Sequence, residues 1–184
     1  NFPKTVEWAQ SSPHSFAKLM EKLTEVLIGY VKMQAQSGVD AIQIFDSWNG
    51  LCPNDRVNEW SLKWIDQIAQ EVSSQIPVIL YAKAPSDRLH YLSHCQVSGI
   101  SIDHETDLAY ARSTLPSHFT LQGNLDPALL ETNPDTVRQT TLKLLEKMKG
   151  DSGHILNLGH GIRPQAKVEC MEELVDTVSN YSDS

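Results

Sequence analysis

The sequence is poor in the features that would tie it to an oxidising compartment, a membrane or a nucleic acid. Its three cysteines, Cys52, Cys95 and Cys170, are odd in number and far apart, so they build neither a disulfide framework nor a CxxC metal or redox pair. No apolar run approaches the ~20 residues that a membrane span needs, and the opening Asn1-Phe2-Pro3-Lys4 lacks the layout of a secretion signal. Basic residues are few: 15 Lys and Arg stand against 23 Asp and Glu, a formal charge of −8. The basic face that phosphate backbones require is therefore absent. A small anionic substrate stays compatible, provided positive charge is gathered locally. These readings lead us to expect a cytoplasmic protein without membrane or nucleic-acid partners.

Several catalytic signatures are missing too. There is no GxGxxG after the first expected strand, no GxxxxGK[ST] and no GxSxG, which removes dinucleotide, phosphate-loop and nucleophile-elbow chemistry. His94-Cys95 has no second ligand pair at zinc spacing, so no metal site is expected. The chemistry is expected to use side chains alone.

What the sequence does have is a repeating grammar. Phe16, Leu19, Met20, Leu23, Leu27, Ile28, Val31 and Met33 recur three and four apart, the spacing of an amphipathic helix over 16–36. Ser12-Pro13 supplies a start signal and Gly38 a stop. Short β-prone runs follow at 41–46, 78–82, 99–103, 119–122 and 154–158, and helical stretches are expected at 57–74, 86–96, 108–115, 134–149 and 166–181. Strands recur at intervals of about 20 to 36 residues, the length of βα units. Five such units behind a helix with no strand before it suggest a repeating α/β fold entered partway through, as one structural unit.

In parallel α/β folds the working groups sit at the carboxyl ends of strands. Here those ends read Asp46-Ser47-Trp48-Asn49-Gly50, Lys83, Asp103-His104, Gly123-Asn124-Leu125-Asp126-Pro127 and Gly159-His160-Gly161. All five are polar or glycine-rich, which points to a site. Asp126 reads as a turn-former, and Asp46 as either a structural anchor or a catalytic carboxylate. His160 between two glycines reads as ligand-facing. Lys83 fits either an anion contact or an ion pair. Trp60 and Trp64, at helical spacing, read as core. The remaining histidines, His104 and His154 among them, suggest no chemistry.

Three strings carry a resemblance: Ile42-Gln43-Ile44-Phe45-Asp46-Ser47-Trp48-Asn49-Gly50, Leu121-Gln122-Gly123-Asn124-Leu125-Asp126-Pro127 and Asn157-Leu158-Gly159-His160-Gly161-Ile162-Arg163-Pro164. In order and spacing they resemble the C-terminal half of the uroporphyrinogen decarboxylase family. That resemblance implies a TIM-type (β/α)8 barrel, of which this α/β chain supplies about five βα units, with 1–184 as its C-terminal part and the N-terminal part absent. It implies a carboxy-lyase of haem and tetrapyrrole biosynthesis. Such an enzyme removes the four acetate carboxylates of uroporphyrinogen III to give coproporphyrinogen III, with no cofactor and no metal. Ser47 and His160 match family positions that bind the tetrapyrrole substrate. The family's arginine-rich segment, its carboxylate for the pyrrole NH groups and its tyrosine have no counterpart here, so the catalytic proton donor is unknown and the chain alone is expected to be inactive. Full-length relatives are homodimers. Two rivals make different demands. A zinc- and corrinoid-dependent methyltransferase of the same superfamily needs an HxC pair near Lys83 and a cysteine near His160, and neither is in the sequence. A non-catalytic tetrapyrrole-binding protein needs only the binding residues.

Overall fold

The computed structural model describes residues 2–83 and 86–181. Five strands, β1 (Ile42–Asp46), β2 (Val78–Ala82), β3 (Gly99–Ser101), β4 (Thr120–Gln122) and β5 (His154–Ile155), follow one another in a sheet of order β1-β2-β3-β4-β5. Strand and helix alternate as the sequence suggests, in the α/β pattern of part of a (β/α)8 barrel. The chain divides into two compact units, residues 1–100 and 101–184.

The first unit opens with two helices, α1 (Phe2–Ser11) and α2 (Pro13–Gln36). Helix α1 is not foreshadowed by the spacing of apolar residues. Helix α2 starts on Ser12 and Pro13 as expected, although the Ser12 side chain makes no capping bond. Gly38 ends it at φ +83°, a left-handed conformation that glycine adopts without a Cβ penalty. Strands β1 and β2 pair in parallel, Ile42 opposite Val78 and Asp46 opposite Ala82. The core beneath holds Val57, Trp60, Leu62, Trp64, Ile65, Ile68, Val72, Val78 and Leu80, all buried.

The helix expected over 57–74 is a composite. A short 3-10 turn, Asn54–Arg56, leads into a π-helical turn, Asn58–Leu62, and only then into α3 (Lys63–Gln70). The wider turn buries three consecutive residues, Trp60, Ser61 and Leu62, which a regular helix of period 3.6 does not do on one face. The helix expected over 86–96 shrinks to a 3-10 turn and α4 (Leu89–Leu92).

In the second unit β4 and β5 pair in parallel, with Leu125 bridging to Leu158 beyond them. Strand β5 is shorter than the 154–158 run. Backbone bonding to the neighbouring segment nevertheless continues past it, Leu125 N–H donating to Asn157 O at 3.0 Å and Gly159 N–H to Leu125 O at 2.7 Å. Helices α5 (Leu108–Thr114), α6 (Pro134–Lys147) and α7 (Val168–Ser179) complete the unit. Asp107 and Asn133 cap α5 and α6 by accepting from the N–H groups of Tyr110 and Thr136. Leu125, Leu130, Val137, Cys170 and Leu174 form the core against which α6 and α7 pack.

Candidate functional site

The residues singled out at strand ends fall into both units. In the first, β1 ends in a tight turn at Ser47 and Trp48 followed by a 3-10 turn, Asn49–Leu51. Backbone bonds from Lys83 N–H to Asp46 O (3.1 Å) and from Gly50 N–H to Lys83 O (2.8 Å) tie this turn to the end of β2. Asp46 is the anchor within it. One carboxylate oxygen accepts from the Trp48 N–H at 3.3 Å, and the other from Asn49 Nδ2 at 3.0 Å and Ser61 Oγ at 2.5 Å. Asn49 Nδ2 also donates to Ser61 Oγ at 3.0 Å. Of the two roles left open for Asp46, the bonding supports the structural one. From the far side Arg88 donates to the carbonyls of Gly50 (3.3 Å) and Cys52 (2.9 Å). Ser47 sits half-buried at the apex, beside an exposed Trp48. Trp60 and Trp64 are buried, as their spacing suggests.

An apolar cavity of about 310 Å³ lies under this turn, walled by residues including Phe2, Phe16, Leu27, Ile44 and Trp60. Its aromatic and aliphatic lining suits a hydrocarbon, not a polycarboxylate, so the functional reading stays with the strand ends.

In the second unit three strand-end loops are knitted together. Gly123 adopts φ +133°, and a Cβ there would meet the Ile102 carbonyl oxygen at 2.7 Å. The peptide that follows it, Gly123–Asn124, is cis. Asn124 then reaches back, donating from Nδ2 to the carbonyls of Asp103 (2.7 Å) and Thr106 (2.5 Å). Asp126 accepts from the Ala128 N–H at 2.8 Å, the turn-forming role its sequence suggests. Asp103, which is buried, accepts from the Glu105 N–H and the Thr106 hydroxyl. Gly159 is buried against the backbone of the β3 loop. An added Cβ would overlap the His104 nitrogen and lie 2.7 Å from its Cα, a contact that only glycine allows.

His160 follows on the surface of this assembly. Its Nδ1 accepts from the Gly161 N–H at 2.8 Å, which requires an unprotonated Nδ1 and places the ring proton on Nε2.

Two histidines that the sequence leaves without a role take part in the framework. His154 Nε2 lies 2.8 Å from the Gly123 carbonyl oxygen and donates to it. His104 holds its Nε2 4.0 Å from the Asp126 carboxylate, while its buried Nδ1 has no hydrogen-bond partner among the described residues. The signal for His104 was its place one residue past an expected strand end; Ser61 and Arg88 gave none, because both act from distant segments.

The three thiols are poorly suited to soft-metal chemistry. Cys170 belongs to the α6–α7 core. Burial, reinforced by Asp66, pushes the Cys95 thiol up to about 12. Burial pushes Cys52 up to about 11, with Asp46 adding to the shift and Arg88 opposing it. Among the described residues no three His, Cys, Asp or Glu side chains are grouped as metal ligands, and no helix is long and apolar enough to cross a membrane.

Comparison with known proteins bears on the same residues. The family model described as uroporphyrinogen decarboxylase (URO-D) matches residues 1–181. Uroporphyrinogen decarboxylase from Ruthia magnifica is 33% identical over 187 residues, covering 99% of this chain and 54% of that protein. The enzyme of the same name from Protochlamydia amoebophila is 35% identical over 178 residues, covering 97% of this chain and 49% of that one. The chain therefore spans about half the length of the curated relatives it matches. Among solved structures, a methyltransferase from Methanosarcina mazei superposes with a TM-score of 0.84 at 20% identity, covering 95% of this chain and 52% of that one. That likeness speaks to fold alone. With the family match running through the Ser47 turn, the Gly123 turn and the Gly159-His160-Gly161 loop, the chain belongs to the uroporphyrinogen decarboxylase family.

Proposed function

We propose that the protein decarboxylates uroporphyrinogen III to coproporphyrinogen III, and that Ser47 and His160 are among the groups that bind the tetrapyrrole. The family match over residues 1–181 carries this reading. Pyrrole chemistry explains why no cofactor is required. Protonation of the electron-rich ring gives a cation; the bond between the acetate methylene and its carboxylate breaks, carbon dioxide leaves, and the electron pair enters the ring. A proton then adds to the exocyclic methylene to make a methyl group, and the ring releases the proton it first took. Each cycle consumes one proton and one carboxylate and yields one carbon dioxide. The protein's task is to hold the substrate and place its charges.

In this reading the Ser47 hydroxyl and the His160 Nε2–H bond substrate oxygens, while proton transfer belongs to other groups. The reading also places the protein in the cytoplasm as a homodimer, on the family resemblance alone. The test is an anaerobic assay of the full-length gene product with uroporphyrinogen, following stepwise loss of carboxylates by chromatography. Accumulation of coproporphyrinogen is expected; no conversion of any acetate would refute the enzyme assignment. The methyltransferase alternative shares only the fold with the solved neighbour, and stoichiometric zinc in the purified protein would support it instead.

A further inference from the structure

The π-turn at Asn58–Leu62 and the turn carrying Ser47 meet through one small network, and it suggests a residue whose role lies outside substrate contact. We infer that Ser61 is a positioning residue: through Asp46 it fixes the turn from which Ser47 projects. The inference rests on the reading of Ser47 as a tetrapyrrole ligand for its functional consequence, but not for its structural content.

The geometry is a closed ring of hydrogen bonds. The Ser61 hydroxyl donates to Asp46 Oδ2 at 2.5 Å and accepts from Asn49 Nδ2 at 3.0 Å, and Asn49 Nδ2 donates to the same carboxylate oxygen at 3.0 Å. Asn49 is 2% exposed and Ser61 7%. Ser61 is thus a buried hydroxyl that both donates and accepts. Its removal would take one of three donors from Asp46 and leave a buried Asn49 N–H without its hydroxyl acceptor. Asp46 and Asn49 flank Ser47 on either side, so slack in either passes directly to it. The π-turn matters because it directs Ser61 inward between the buried Trp60 and Leu62. Ser61 also borders the apolar cavity under the turn. A binding hydroxyl held this way arrives pre-oriented, and a ligand need not order it.

The test compares Ser61→Ala, Ser61→Cys and Ser61→Thr in the full-length gene product. Alanine and cysteine remove the strong hydroxyl bond, cysteine with the volume kept, and threonine retains the hydroxyl. Hydrogen-exchange mass spectrometry is expected to show faster exchange in 46–52 for the alanine and cysteine variants, with threonine restoring the slow rate. Coproporphyrin affinity, read by fluorescence titration, is expected to fall about tenfold in Ser61→Ala when Ser47 is present and little further in a Ser47→Ala background. Unchanged exchange in 46–52 would overturn the inference, and so would an equal loss of affinity with and without the Ser47 hydroxyl. Faster exchange in 46–52 combined with unaltered coproporphyrin affinity in Ser47→Ala would uphold Ser61's hold on the turn and refute the ligand role of Ser47. If Ser61→Ala does not fold, the cysteine variant carries the same comparison.

Discussion

At Gly159 a single methyl group would do disproportionate damage. The atoms an alanine Cβ would strike belong to the His104 and Asp103 backbone rather than to a flexible side chain, so the loops must part. Gly159→Ala is expected to destabilise the protein by about 1–3 kcal/mol in urea denaturation and to displace His160. Unaltered stability and coproporphyrin affinity would contradict the packing described. Cys52 offers a test of charge. Its thiol is raised above the ordinary 9.0 to about 11 by burial first and then by Asp46. A folded-state value above the unfolded one contributes stability in full below 9.0, and that contribution is lost as pH rises through 11. The urea midpoint is therefore expected to decline over this alkaline window, and less so in Cys52→Ala. Equal decline in both would remove Cys52 as the source.

At the scale of elements, α5 rests on Asp107. This carboxylate caps the helix through the Tyr110 N–H at 3.0 Å and pairs with Lys147, and the Lys147 bond holds it below the usual carboxylate range. Asp107→Ala is expected to cost about 1 kcal/mol, with Asp107→Asn recovering the cap but not the ion pair. The lowered value sets the sign: the carboxylate's contribution is present above its ordinary 3.8 and is lost as pH falls through the folded-state value. The two carboxylate-dependent differences should therefore shrink in acid. Much of this scale is legible in sequence. Pro13, Gly38 and the alternation of apolar runs place α2, α6 and the strands within a few residues. The π-turn is not legible, because three adjacent buried residues fit no regular period and the partner of the middle one, Asp46, lies fifteen positions earlier. Nor is burial on α2. Its apolar spacing is unmistakable, yet Leu19, Leu23, Leu27 and Met33 are more than 40% exposed and only Thr24 and Val31 are buried. Periodicity reports which face is apolar, not what covers it.

For the whole molecule, the family was readable because its specific strings sit at strand ends, where chemistry rather than packing dictates the residue. The supporting contacts were not, since Asn124, His104, Ser61 and Arg88 reach partners that sequence spacing does not bring together. The assignment makes one demand above others: Ser47 and His160 must contribute to holding a tetrapyrrole polyacid. Fluorescence titration of the full-length gene product with coproporphyrin III, beside Ser47→Ala and His160→Ala variants of matched thermal stability, tests it directly. Affinity is predicted to fall about tenfold or more in each variant, as the loss of a hydrogen bond to a charged group implies. Wild-type affinity in both variants would contradict the account.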